Sequence, residues 1–115
     1  AAVIEDIGKT GDLPGHAFNP RNIPERAPFF AGYLSRNYFR SAQKLHVYET
    51  AEKFDGPVCI LQGTSDQLVP VTYAWKYHNV YAQSRLFIFD KEDHMFHKNR
   101  KKAAEVVTDF LLDCV

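Results

Sequence analysis

Residues 57–94 limit what this chain can fold into more than any other stretch. Pro57-Val-Cys-Ile-Leu-Gln62 is a short apolar run set between Gly56 and Gly63. Such a run suits a strand buried on both faces, as in a parallel sheet. It ends in Gly63-Thr-Ser-Asp66, a turn that sets a carboxylate just past the strand's carboxyl end. Pro70 suits the first turn of a helix, and a crossover helix is expected over 71–82. Arg85-Leu-Phe-Ile-Phe-Asp90 is a second apolar run, and it stops at Lys91-Glu-Asp-His94. Two parallel strands joined by a helix would deliver Asp66 and His94 to one sheet edge, because each follows a strand's carboxyl end. In open α/β sheets ligands bind at that edge. The expected fold class is therefore α/β, with a βαβα arrangement closing the chain.

Upstream the pattern changes. Residues 1–7 read as the end of a strand running into a loop. Gly8, Gly11, Pro14, Gly15, Pro20, Pro24 and Pro28 make the next segment turn-rich, and the residue before each proline is pushed away from helix. Phe18, Phe29, Phe30, Tyr33, Tyr38 and Phe39 nevertheless continue through it. A solvated linker would lack them, so the segment is expected to pack. Residues 35–48 can form a helix, with Tyr38, Ala42 and Leu45 as its apolar stripe, and 47–54 would lead into the first strand. On the aromatic crossover helix, Trp75 is expected to pack on the sheet or a neighbour. Ala103, Val106, Val107, Phe110, Leu111 and Cys114 follow helical spacing in a last helix over 99–114. Arg100, Lys101 and Lys102 near its start oppose the helix dipole and read as a solvated face.

A parallel pair of strands cannot cover its own edges or bury both faces. The 115 residues are therefore expected to belong to a larger sheet. On their own they would not make a stable soluble monomer. The missing N-terminal part of the same fold, or an oligomeric partner, would cover them.

Composition excludes several classes. Fourteen basic and fourteen acidic residues cancel, and no basic stripe points to nucleic acid. No apolar run approaches the roughly 18 residues that a membrane helix needs, so no membrane partner is expected. No signal peptide is visible, which points to the cytoplasm, although the chain opens on Ala1 without an initiator Met. Cys59 and Cys114 are read as two buried, reduced thiols. Asp93, His94 and His97 could imitate a metal cluster but lack a third independent ligand, so no metal or cofactor is expected.

Gly63-Thr-Ser-Asp66-Gln-Leu-Val-Pro70, followed by Asp93-His94, resembles the acid and histidine segments of the α/β-hydrolase superfamily. That superfamily orders its triad Ser, then Asp or Glu, then His. Two further stretches, Gly11-Asp-Leu-Pro-Gly-His-Ala-Phe-Asn-Pro-Arg-Asn-Ile-Pro24 and Tyr38-Phe-Arg-Ser-Ala-Gln43, are similar to the inserted lid of bacterial cinnamoyl (feruloyl) esterases. The resemblance implies that 1–54 holds the end of a core strand and a lid, and that 55–115 is the C-terminal part of the hydrolase core. It implies Asp66 as the catalytic acid and His94 as the general base. It also implies Tyr38 as the side chain that hydrogen-bonds the phenolic end of the acyl group, and Asp6 as a second substrate-binding residue. The spacing, 94 − 66 = 28 residues, is what one helix and one strand require.

The bottom-up argument stands beside this. A catalytic histidine needs an acceptor at Nδ1 to fix its tautomer and stabilise the imidazolium formed during acyl transfer. Otherwise Asp66 is a turn or cap residue, and His94 a loop histidine. No Gly-x-Ser-x-Gly elbow surrounds Ser35, Ser41, Ser65 or Ser84. The implied activity is thus that of an intact serine carboxylester hydrolase acting on a small-molecule ester, with these residues alone inert. The alternatives are a different ester or amide substrate on the same machinery, and a non-catalytic piece acting through association.

Overall fold

The computed structural model describes residues 1–115, which form two compact units, Ala1–Val47 and Tyr48–Val115. The division falls earlier than the 54/55 boundary read from the sequence.

In the first unit, α1 spans Ala2–Thr10, so residues 2–7 are helical and not the end of a strand. Val3 and Ile7 lie four apart, and Ile4 and Ile7 three apart. That spacing puts one apolar side toward the core, and Ile7 is buried there. Gly11 ends the helix in the left-handed conformation (φ 79°), its amide bonding the Ile7 carbonyl. A hairpin follows within the proline-rich segment. β1 (Arg26–Phe29) pairs antiparallel with β2 (Gly32–Ser35), Pro28 facing Tyr33. Sequence reasoning missed it because each strand has four residues and one holds a proline. A two-stranded hairpin has only edges, where proline is tolerated.

The helix read over 35–48 is two helices, α2 (Arg36–Gln43) and α3 (Val47–Glu52). The Ser35 hydroxyl caps α2 by accepting from the Tyr38 amide at 3.2 Å. Its buried positions are Phe39 and Ala42. Of the expected stripe, Ala42 is buried, but Tyr38 and Leu45 are exposed and Phe39 takes the inward place. Phe39 is fully buried among Ile7, Leu13, Ile23 and Ala27, with the Phe18 ring 4.9 Å away. The Gln43 side-chain amide ties this unit together, donating to the carbonyls of Gly8 (2.9 Å) and Pro20 (3.0 Å).

In the second unit, β3 (Val58–Gly63) and β4 (Ser84–Phe89) run parallel, from Val58 opposite Ser84 to Gly63 opposite Phe89. α4 (Val71–Val80) is the crossover between them, and it buries Ala74. α5 (Arg100–Asp113) closes the chain, burying Ala103 and Phe110. Its basic first turn is offset by Asn99, whose side chain accepts from the Lys102 amide. Two strands cover little surface, so most of β3 is half-buried and only Gln62 and Gly63 are buried. Trp75 is 51% exposed, with His78 as its ring neighbour, and is not packed as expected. Both cysteines are free, but Cys114 is exposed and Cys59 half-buried. Burial pushes the Cys59 thiol upward. No helix is long and apolar enough to cross a membrane.

Candidate active site

The carboxyl ends of β3 and β4 lie side by side, so the loops that leave them touch. Gly63 makes that approach possible, since a Cβ there would run into the Glu92 carbonyl. Backbone bonds then stitch the loops together. The Thr64 amide donates to the Phe89 carbonyl (3.0 Å), and the Ser65 amide to the Glu92 carbonyl (2.9 Å). The Lys91 amide donates to the Thr64 hydroxyl at 2.7 Å. Lys91 and Phe96 take left-handed backbone conformations (φ 60° and 54°) on either side of His94, a bend that ordinary residues adopt only when their surroundings hold it.

Asp66 and His94 meet across this seam. Asp66 Oδ2 lies 2.8 Å from His94 Nδ1. The other carboxylate oxygen accepts from the amides of Leu68 (2.8 Å) and Val69 (2.9 Å). Asp66 thus shapes its own turn with one oxygen and orients the histidine with the other. Its side chain is 4% exposed, against 46% for His94. An ionised carboxylate only accepts, so Nδ1 carries the proton and Nε2 keeps its lone pair.

Burial works to raise the Asp66 pKa. The Val69 amide, the His94 ring and the Leu68 amide outweigh it and hold the carboxyl below its ordinary range. A carboxyl lowered in the folded state contributes stability that is fully present above the unfolded value of about 3.9. That stability is lost as the pH falls through the folded value. The stability gap between the native protein and Asp66→Asn is therefore expected to narrow below about pH 4. Urea midpoints taken across that range in the full-length protein check this, and a pH-independent gap would contradict it.

Asp93 serves a different histidine. Its Oδ2 lies 2.6 Å from His97 Nδ1, while Oδ1 accepts from the Met95 and His97 amides. The His97 ring is the chief cause of its lowered pKa. No group of three or more potential ligands gathers to hold a metal.

A cavity of about 290 Å³ adjoins the pair, walled by Asp66, His94, Val69, Tyr73, Tyr77 and Phe96 among others. A larger, more open hollow of about 700 Å³ lies between β4 and α5, beside Glu92 and Lys102, and contains neither Asp66 nor His94.

The other two expected site residues belong to the first unit. Tyr38 is on α2, 41% exposed, its ring edge-on to Phe39. Asp6 is on α1, where the Thr10 hydroxyl bonds its backbone carbonyl. The residue overlooked in the sequence is Gln62, whose side-chain nitrogen is 3.1 Å from Asp66 Oδ2. The clue was a polar residue ending an apolar strand run, four positions before the carboxylate.

No protein-family model and no curated protein matches the chain. Solved structures do. Est1E from Butyrivibrio proteoclasticus superposes with a TM-score of 0.92 at 30% identity, over 97% of this chain and 47% of that one. A second Est1E structure, with ferulic acid bound, gives 0.92 at 31% identity, over 98% and 46%. CumD, a meta-cleavage product hydrolase, gives 0.59 at 18% identity, over 68% and 30%. CarC, a serine hydrolase involved in carbazole degradation, gives 0.51 at 23% identity, over 66% and 34%. The last two likenesses concern the fold alone. The chain spans about half the length of the Est1E chains it matches. It has the α/β-hydrolase fold and resembles the C-terminal part of the bacterial cinnamoyl and feruloyl esterases.

Proposed function

We propose that these residues supply the acid and base of a serine carboxylester hydrolase acting on hydroxycinnamate esters. The observation that carries this reading is the 2.8 Å contact between buried Asp66 and half-exposed His94, each just past a parallel strand. Nδ1 is anchored and Nε2 is left with a lone pair, as a general base requires. In this reading His94 Nε2 takes the proton of a serine hydroxyl as that oxygen attacks the ester carbonyl. The imidazolium then protonates the departing alcohol, leaving an acyl-serine. Water attacks the acyl group by the same route, releasing the acid and the free serine. The serine lies outside this sequence, which has no elbow motif around any of its own. Ala1–Val47 contributes the lid in this reading.

The ferulic acid bound to Est1E supports an aromatic acyl group here. Tyr38 takes its phenolic end and Asp6 lies at the same end of the substrate. The test compares methyl ferulate with an aliphatic ester in the full-length protein, native and Tyr38→Phe. The native protein should prefer the ferulate. Tyr38→Phe should lower kcat/KM for ferulate about threefold to tenfold, the worth of one neutral hydrogen bond, and spare the aliphatic ester. Equal loss on both esters would leave Tyr38 a structural role on α2. No preference for ferulate would return the substrate to the wider class of esters and amides.

A further inference from the structure

We propose that Gln62 is a positioning residue for the Asp66–His94 pair, its buried side-chain amide holding Asp66 Oδ2 against the His94 ring. The inference rests on the esterase reading above, and it concerns a residue that acts through Asp66.

Gln62 is the second-to-last residue of β3 and is 8% exposed. Its Nε2 lies 3.0 Å from the Val69 carbonyl, 3.1 Å from Asp66 Oδ2 and 3.2 Å from the Gly63 carbonyl. All three neighbours are acceptors, so the amide group can present only its nitrogen there. One N–H therefore meets the carboxylate and the other meets backbone. Asp66 Oδ2, the oxygen that faces His94, has two donors. Oδ1 has the Leu68 and Val69 amides. The carboxylate is held at four points and cannot rotate about its χ2 without breaking at least one bond. Gln62 also bridges the two ends of the acid loop, from Gly63 to Val69, so the turn keeps its shape when the histidine changes charge.

The electrostatic consequence has a definite sign. A donor on Oδ2 disperses part of the carboxylate's charge and weakens its hold on the imidazolium. Without it, Asp66 stabilises the imidazolium more strongly. The acidic limb of the kcat/KM profile, where the base must lose its proton, then moves to higher pH. The titratable groups facing the pair are His94 itself, from the loop after β4, and Tyr73 and Tyr77, from α4. Asp93 is already engaged by His97, and Glu92 by the Asn99 amide.

The experiment measures kcat, KM and the pH profile with p-nitrophenyl acetate in the full-length protein. The variants are Gln62→Met, which keeps the volume and removes the donor, and Gln62→Glu, with Asp66→Asn and His94→Ala as references. Gln62→Met should lower kcat about threefold to tenfold with little change in KM, and move the acidic limb up by about half a pH unit. Gln62→Glu faces three acceptors in a buried site, so its carboxyl stays protonated and returns a donor to Oδ2, and its limb should lie near the native one. If Gln62→Met does not fold, Gln62→Leu takes its place. A limb that stays put in the variant without the donor overturns the proposal, even where kcat and thermal stability fall together. If His94→Ala and Asp66→Asn keep full activity, the esterase reading itself fails. If those two abolish activity while the Gln62 variants change nothing, only the role of Gln62 fails.

Discussion

Replacing His94 with alanine in the full-length protein is expected to reduce esterase kcat by about a thousandfold to a millionfold, the range seen when a serine enzyme loses its base. A serine hydroxyl is a poor nucleophile at neutral pH unless a neighbour takes its proton. The fold should survive, because His94 is half-exposed and Asp66 keeps its bonds from Gln62, Leu68 and Val69. Melting should shift little. His97→Ala is the informative control. His97 is three residues away and also paired with a carboxylate, Asp93, at 2.6 Å. Its activity should stay near native, because that pair is separate from Asp66. Turnover within tenfold of native for His94→Ala, with unchanged melting, would sink the assignment of the base.

The second large effect is on stability. Phe39→Ala should cost about 3–5 kcal/mol, the usual range for emptying a well-packed aromatic site. Phe39 is fully buried and is the largest side chain in the core of the first unit. Its removal leaves Phe18, Ile7 and Ile23 facing a void that two short helices and a hairpin cannot easily collapse. Tyr38→Ala, one residue earlier, should cost far less, because Tyr38 is 41% exposed. Hydrogen exchange across residues 1–47 separates the two. Phe39→Ala should speed exchange throughout that unit, and Tyr38→Ala only near α2. Similar losses for both would mean that α2 is packed the other way round.

The contrast between these neighbours shows what the sequence could and could not reveal. Residues 57–94 were legible because everything there depends on local pattern. Two apolar runs of strand length, a proline ahead of an aromatic helix, and glycines at the ends fix a parallel crossover. The crossover brings the loops of Asp66 and His94 to one sheet edge, and the seam at Gly63 seats the two side chains together. The N-terminal unit was less legible because its structure depends on contacts between distant residues. Phe39 and not Tyr38 faces inward because Ile7, Leu13 and Ile23 meet there, and spacing within α2 alone does not settle that phase. The helix over Ala2–Thr10 was too short and too close to the chain end to separate from a strand. The Arg26–Ser35 hairpin was hidden by Pro28. Gln62 was visible as an oddity at a strand end, but its purpose needed the carboxylate in view.

The absence of a side chain at Gly63 also dictates how this chain can be altered. Because the acid and histidine loops are pressed together there, lengthening either one would wedge the seam apart, and so would any side chain at that position. The crossover from Thr64 to Asp90 behaves as a part of fixed length, whose interior can be exchanged for another helix and strand only if both ends are returned to the same places. The loop between Asp12 and Glu25 is constrained only in part, because Leu13, Phe18 and Ile23 pack on Phe39 while Pro14, Gly15, His16 and Ala17 are exposed. Graft libraries built on this scaffold would accept variation at those four exposed positions and reject it around Gly63.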